Sequence, residues 1–194
     1  MIKALKTLRN RKTGPAEFRA ASWKVCTMLA RRTQALLKKQ RINDKHIVLV
    51  IILRSGVALL EPALRVFPKA AVGVLGLKRD ERTFAPHWYY ENLPKLSKQS
   101  AVVVLDPMLA TGGSAEAAVE RLIGRGANPK RIFFAGIIAA PQGVARLAQR
   151  IPQEHLVLAA VDRGLTAAML ITPGLGDFGD RYFGHKGEAR LGGK

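Results

Sequence analysis

The 194-residue chain has almost nothing with which to build cross-links. It holds one cysteine, Cys26. A single thiol closes no disulfide framework and supplies no thiolate metal site, so Cys26 reads as a small helical hydrophobe. A reducing, cytoplasmic compartment is the expectation. The four histidines, His46, His87, His155 and His185, stand apart with no spacing that suits a metal. They read as structural or solvent-facing. No run of about 18 uncharged apolar residues occurs, which excludes a transmembrane helix and membrane association of that kind. Met1 to Lys12 lacks an apolar stretch before a small-residue cleavage site, so it is not read as a secretory signal. Its Arg-rich, acid-poor composition shares features with a mitochondrial transit peptide, but it runs directly into a helical pattern. Repeats and low-complexity segments are absent.

Acidic residues are also scarce: 14 Asp and Glu face 32 Lys and Arg, for a net charge of +18. The excess is uneven. Residues 1–45 hold 13 basic and 2 acidic side chains, net +11, while residues 46–194 are net +7. Such a field attracts polyanions, whether nucleic acid, acidic lipid or a phosphorylated substrate. A solvated basic face is the plainer reading.

What remains is ordinary globular material. Apolar residues make up 48% and charged residues 24%, which excludes a wholly disordered chain. The length suits a single domain, 1–194, with a basic helical region over 1–45 and a loose glycine-bearing tail over 187–194. From Pro15, apolar residues recur at Phe18, Ala21, Val25, Met28, Leu29, Leu36 and Leu37, the stripe of an amphipathic helix. Pro15 suits its first turn and Thr13 its cap. Ile47–Leu53, Ala71–Leu77, Ala101–Leu105, Ile132–Ala139 and His155–Val161 are apolar runs of strand length. Residues 78–100 read as a hairpin or long loop. Helices are predicted after Gly56, over Ser114–Gly126 and from Pro141. Strands alternating with helices predict an α/β fold with a mostly parallel central sheet covered on both faces.

In such sheets, ligands bind beyond the carboxyl ends of the strands. Three strands end there in polar or glycine-rich turns: Arg54-Ser55-Gly56, Asp106 through Ser114, and Asp162-Arg163-Gly164. The second carries the argument. Asp106-Pro107-Met108-Leu109-Ala110-Thr111-Gly112-Gly113-Ser114 follows a buried strand and opens a helix. Thr111 to Ser114 offer successive backbone N–H groups to one phosphate, and the helix dipole adds favourable potential there. Ser114 is the expected cap. No Gly-Lys-Ser/Thr follows, so this is not a Walker loop, and Gly-x-Gly-x-x-Gly is absent. An acid at the strand end with a Thr-Gly-Gly cradle suits a ribose 5-phosphate: Asp106 on the sugar hydroxyls, the cradle on the phosphate.

The segment 106–114 resembles the phosphoribosyl-pyrophosphate loop of uracil phosphoribosyltransferases, where an Asp-Pro start is characteristic. The likeness extends beyond the loop. Ile52-Leu53-Arg54-Ser55-Gly56 is similar to the family's Ile-Leu-Arg-Ala-Gly. Lys78-Arg79-Asp80-Glu81 with Thr83 and Pro86 resembles its hairpin. Ala139-Ala140-Pro141 and Asp162, Gly164 and Leu165 match in order. Pro173-Gly174-Leu175-Gly176-Asp177-Phe178-Gly179-Asp180-Arg181 is similar to its uracil-binding segment. Leu8-Arg9, Thr13 and Phe18-Arg19 echo its first helix.

The resemblance implies a type I phosphoribosyltransferase fold with a hairpin hood, and transfer of phosphoribose from phosphoribosyl pyrophosphate to uracil, giving UMP and pyrophosphate. By position, Ala110, Thr111, Gly112, Gly113 and Ser114 would hold the 5′-phosphate and Asp106 the ribose, with Pro107, Met108 and Leu109 completing the phosphoribosyl-pyrophosphate loop and Asp177 nearby. Arg54 and Arg79 would bind pyrophosphate and act in catalysis, since cations aimed at a leaving group that gains charge favour the transition state. Ile171, Gly176, Asp177 and Phe178 would contact uracil. Mg2+ would be held mainly through pyrophosphate and ribose oxygens, with no dedicated protein site. A homo-oligomer is the default assembly. The chain departs from the family pattern in places. Phe178 replaces an Ala, Lys78 a Tyr, and Leu165-Thr166-Ala167 a Leu-Asn-Glu; the segment between Leu37 and Ile47 is markedly shorter. Two other readings follow: a phosphoribosyltransferase for another pyrimidine, or an RNA-binding regulator using the basic N-terminal region as its footprint.

Overall fold

In a computed structural model, the chain is described over residues 2–42, 44–79 and 86–185. Two helices open it, α1 (Ile2–Arg9) and α2 (Pro15–Lys39). The helix stripe read from the sequence is the buried face of α2: Phe18, Ala21, Val25, Leu29 and Leu37 lie in the core, and Met28 and Leu36 pack at its margin. Thr13 does not cap α2. Its hydroxyl donates instead to the Thr7 carbonyl at 2.8 Å, and Gly14 takes the cap position.

Five parallel strands then form the body of the sheet: β1 (Ile47–Leu53), β2 (Ala71–Arg79), β4 (Ala101–Leu105), β6 (Ile132–Ala139) and β7 (Leu156–Val161). Between them lie α3 (Val57–Val66), the antiparallel strand β3 (Pro86–Asn92), the two-residue β5 (Met108–Leu109), α4 (Gly113–Gly124) and α5 (Pro141–Leu147). Among the described residues the sheet runs β3-β2-β1-β4-β6, and β7 pairs with the far edge of β6. The chain ends with β8 (Gly164–Leu165) and β9 (Ile171–Thr172), a separate antiparallel pair, and α6 (Phe178–Phe183).

Both faces of the sheet are covered, and side-chain alternation assigns each strand residue to one face. Leu49, Ile51, Val103, Leu105, Phe133 and Ala135 join the core under α1, α2 and α3. Val48, Val50, Ile52, Val102, Val104, Ile132 and Phe134 join the core under α4, with Ala115, Ala118, Val119 and Leu122. Burial on both sides is why these strands read as unbroken apolar runs rather than alternating ones. Each such Leu, Ile, Val or Phe contributes about 1.5–3 kcal/mol by leaving water. The hairpin β2–β3 extends the sheet beyond this double cover. Its tip, including Asp80, Glu81 and Thr83, and the tail 187–194 lie outside the described residues. None of the described helices is long and apolar enough to cross a membrane.

Candidate active site

The carboxyl ends of β1, β4 and β7 lie along one edge of the parallel sheet, and the turns that follow them form the candidate crevice. At the first, the β1 turn Arg54-Ser55-Gly56 crosses to α3, and the Leu53–Arg54 peptide is cis. Gly56 lies against its neighbour: a Cβ there would fall 2.5 Å from the Leu105 carbonyl oxygen, so only glycine lets β1 and β4 meet this closely. Arg54 is half exposed and reaches over the crevice, 3.4 Å from Asp180 and 5.9 Å above the Phe183 ring.

At the second, β4 and β5 lie on the same edge of β6 and are interrupted at Asp106-Pro107. The Pro107 carbonyl keeps the pairing by accepting from the Ile137 and Ile138 N–H groups, at 2.9 and 3.1 Å. The interruption turns the Asp106 side chain out of the strand pattern. Its carboxyl is nevertheless buried. Burial pushes it up to about 7, against the pull of a Met108 N–H. The chain then reaches Gly112 in the left-handed region, φ 82, and α4 begins one residue earlier than read, at Gly113. Gly112, not Ser114, is therefore the cap, because a positive φ at 112 swings the chain into the helix without a side-chain bond. The Gly112 carbonyl accepts from Glu116 N–H at 2.8 Å. The amides of the first turn point out of the helix end toward the crevice, as a helix N-terminus requires. Thr111 and Asp177 both have partners of their own within the fold.

A cation flanks this cradle that the motif reading missed. A Cβ on Gly113 would lie 3.6 Å from Arg146 Nη1. Arg146 and Arg150, both on the far side of the loop, donate to Glu116 of α4 at 2.5 and 3.0 Å. Burial raises the Glu116 carboxyl, but the two guanidiniums outweigh it and hold it below the usual range. No sequence signal marked Arg146, which follows a strand two elements later.

At the third end, Asp162 is buried and accepts from Arg9 Nη1 at 2.7 Å and from Gly174 N–H at 2.8 Å. Burial pushes its carboxyl up, yet the bonds from Arg9 and Gly174 more than offset this and leave it below the ordinary carboxylate range. Gly174 opens the base loop. Asp177 caps α6 by accepting Asp180 N–H at 2.9 Å. Ser55 and Gly179 are close neighbours, so the β1 turn and the base loop share a wall. Gly176 has φ 85, and any side chain there would collide with the Arg11 guanidinium.

The structure places Arg54, Asp106 and residues 107–114 directly after β1 and β4 at this edge and brings Asp177 and Gly179 beside Ser55, while Gly176 lies against Arg11 and Arg181. The Ile171 and Phe178 side chains are in the core: Ile171 is buried, and Phe178 is 1% exposed, packed on Phe18 at 5.2 Å and on Tyr182 at 5.7 Å between ring centroids. The Phe178 ring is therefore a core side chain. The reason is local: α6 starts at Phe178, and its first residue falls on the face that meets α2. Arg79 ends β2, pairing with Pro86 in the hairpin, and its side chain lies outside the described residues. Among the described residues no group of three His, Cys, Asp or Glu gathers as a metal site.

The family model for uracil phosphoribosyltransferase matches residues 1–185. A uracil phosphoribosyltransferase of Shouchella clausii is 39% identical over 94% of this chain and 93% of its own length. One from Delftia acidovorans is 49% identical over 75% of this chain and 68% of its own length. A solved structure of an Aquifex aeolicus protein superposes with a TM-score of 0.83 at 34% identity, covering 94% of this chain and 93% of that one. A hypoxanthine phosphoribosyltransferase from Staphylococcus aureus shares the fold, with a TM-score of 0.55 at 14% identity over 74% of this chain and 76% of that one.

Proposed function

The chain belongs to the uracil phosphoribosyltransferase family, and from that membership we propose that it transfers phosphoribose from phosphoribosyl pyrophosphate to uracil, releasing pyrophosphate and forming UMP. The observation that carries this reading is the loop 106–114. It joins a buried carboxyl at the end of β4 to a helix N-terminus entered through a left-handed glycine.

Each part of the crevice has a task in that reaction. The 5′-phosphate rests on the amides of Ala110–Ser114, with Arg146 adding charge beside Gly113. Asp106 accepts from the ribose hydroxyls. Arg54 and Arg79 meet the pyrophosphate, whose negative charge grows as its bond to the sugar carbon stretches. Arg54 is paired with Asp180 across 3.4 Å, a weak, exposed ion pair that pyrophosphate would displace to reach it. The sugar carbon acquires oxocarbenium character, as in glycoside cleavage. Uracil N1 attacks it, and no side-chain nucleophile is required. Catalysis is then placement and electrostatics. Backbone groups between Gly174 and Phe178 read the uracil edge, with Asp177 near the ribose.

Mg2+ accompanies the reaction through the substrate. It would be held mainly through pyrophosphate and ribose oxygens, with Asp106 at the end of β4 the carboxylate beside the ribose. When bound, it neutralises charge on the leaving group. The enzyme works in the cytoplasm as a homo-oligomer in this proposal.

Purified protein given phosphoribosyl pyrophosphate, Mg2+ and a panel of pyrimidines tests the reading. UMP formation with uracil, outpacing the other bases, is the expected result. Turnover of another pyrimidine but not of uracil, or no turnover at all, overturns it.

A further inference from the structure

We propose that Arg9 is a positioning residue for base recognition: through Asp162 it fixes the peptide backbone of Gly174, and so the loop that reads uracil. The inference rests on the phosphoribosyl-transfer reading above.

The geometry is a closed ring of three residues. Arg9 donates through both terminal nitrogens to the two Asp162 carboxylate oxygens, one of these bonds being 2.7 Å. Asp162 in turn accepts the Gly174 N–H at 2.8 Å. Arg9 Nη1 closes the ring by donating to the Gly174 carbonyl at 3.0 Å. Both backbone polar groups of Gly174 are therefore held, one by each partner. Gly174 sits at φ 61, where the chain turns from β9 into the base loop. Fixing this one residue sets the direction of the stretch that follows.

A second clamp lies a few residues on. Arg181 of α6 donates to the Leu8 and Leu175 carbonyls and, at 2.7 Å, to that of Asn10. Its guanidinium also stacks 4.2 Å from the Phe18 ring centre. Arg11 covers Gly176. The end of α1 is thus fastened to the base loop at 174, 175 and 176 in succession. Among the described residues, the bonds of Arg9 go to Asp162 and Gly174 alone. The phosphoribosyl loop runs instead between β4 and α4 and is braced by Gly143 and Arg146 of α5.

This division makes the effect selective. If backbone groups read uracil, their positions are set by the loop's own dihedrals, and no side chain corrects a misplaced amide. A loop released from Arg9 loses base binding first; the 5′-phosphate cradle at 110–114, to which Arg9 makes no bond, stays, and only the Asp177 contribution near the ribose goes with the loop.

Steady-state kinetics with both substrates varied tests the idea. Arg9→Ala is expected to raise KM for uracil about tenfold or more and KM for phosphoribosyl pyrophosphate by a clearly smaller factor, that of the Asp177 contact alone. Removing Arg9 strands the buried Asp162 charge, so a second variant, Arg9→Ala with Asp162→Asn, removes that cost. It is expected to recover melting temperature but not uracil KM. Arg9→Lys keeps the charge without the two-pronged grip and is expected to fall between. Equal rises in both KM values, or an unchanged uracil KM in a folded variant, overturn the proposal. Should the unaltered protein make no UMP, the functional reading fails, and hydrogen exchange then judges Arg9. Faster exchange over 173–177 in Arg9→Ala with 110–114 unchanged supports it as the anchor. Unchanged exchange over 173–177 overturns it.

Discussion

Asp106 is a carboxyl that the folded chain holds under strain. It is buried, and burial pushes it from an ordinary 3.8 up to about 7. Its proton is therefore bound more tightly in the folded chain than in the unfolded one. Between about pH 4 and pH 7 the unfolded chain loses this proton and the folded chain keeps it, so stability falls as pH rises through that window. Asp106→Asn removes the penalty. The variant is expected to melt several degrees higher than the parent at pH 8 and at nearly the same temperature at pH 4, as measured by thermal denaturation. The same variant is expected to lose turnover by at least about a hundredfold, since an amide accepts the ribose hydroxyls less well than a carboxylate. In the parent, kcat/KM for phosphoribosyl pyrophosphate is expected to climb toward a plateau above about pH 7, and the limb to vanish in Asp106→Asn. Phe178 gives the opposite kind of prediction. Its ring is core, stacked between Phe18 and Tyr182. Phe178→Ala is expected to cost about 3–5 kcal/mol in chemical denaturation. Below its melting temperature it is expected to retain most of its affinity for uracil. A selective loss of base binding with stability intact would place the ring in the pocket instead.

Among the elements, the junction of β5 and α4 separates the two halves of the crevice. Gly112 supplies the left-handed turn there, and a Cβ at 112 would also press on the Gly143 carbonyl at 3.1 Å. Gly112→Ala is expected to destabilise the chain by about 1–2 kcal/mol. It is also expected to raise KM for phosphoribosyl pyrophosphate about tenfold or more through displaced amides, with KM for uracil little changed. This is the mirror image of the Arg9 variant, so the pair of measurements tests whether the crevice is built in two separately anchored halves. The end of α1 acts on the base half. α4 and α5, joined through Glu116, Arg146 and Arg150, act on the phosphate half.

For the molecule as a whole, a ligand bound as proposed would cross the ends of several strands and join elements far apart in the chain. Binding should therefore stabilise the fold globally. UMP at about 100 times its Kd contributes roughly 2.7 kcal/mol, which in a chain of this size corresponds to a rise in Tm of roughly 5–11 °C in a thermal melt. No shift with UMP, alongside a shift with an unrelated anion, would remove the nucleotide from the crevice. The basic N-terminal region also takes on a different meaning. Arg9, Arg11 and Arg19 reach the C-terminal segment: Arg19 donates to the Tyr182 carbonyl at 2.7 Å, Arg9 bonds Asp162, and Arg11 lies beside Gly176. Part of the +11 there is structural wiring of the base loop rather than a footprint for a polyanion.

How much of this was legible in the sequence depended on distance along the chain. β1, β4 and β6 have the bounds that their apolar runs predicted, because burial on both faces needs unbroken apolar residues and nothing else. The phosphoribosyl loop was legible for a similar reason: an acid, a turn and a helix start are consecutive, and their chemistry is local. The two-residue strands β5, β8 and β9 were not, since they exist only where a neighbouring segment offers them a partner. The inward ring of Phe178 and the Glu116–Arg146 pair required knowing which helix packs where. Arg9 and Asp162 stand 153 positions apart, and no local pattern joins a cation to a carboxylate over that span. The residues alone determined what chemistry was present; folding decided which charges meet, because a bond between distant residues forms only after the sheet has brought the ends of its strands to one crevice.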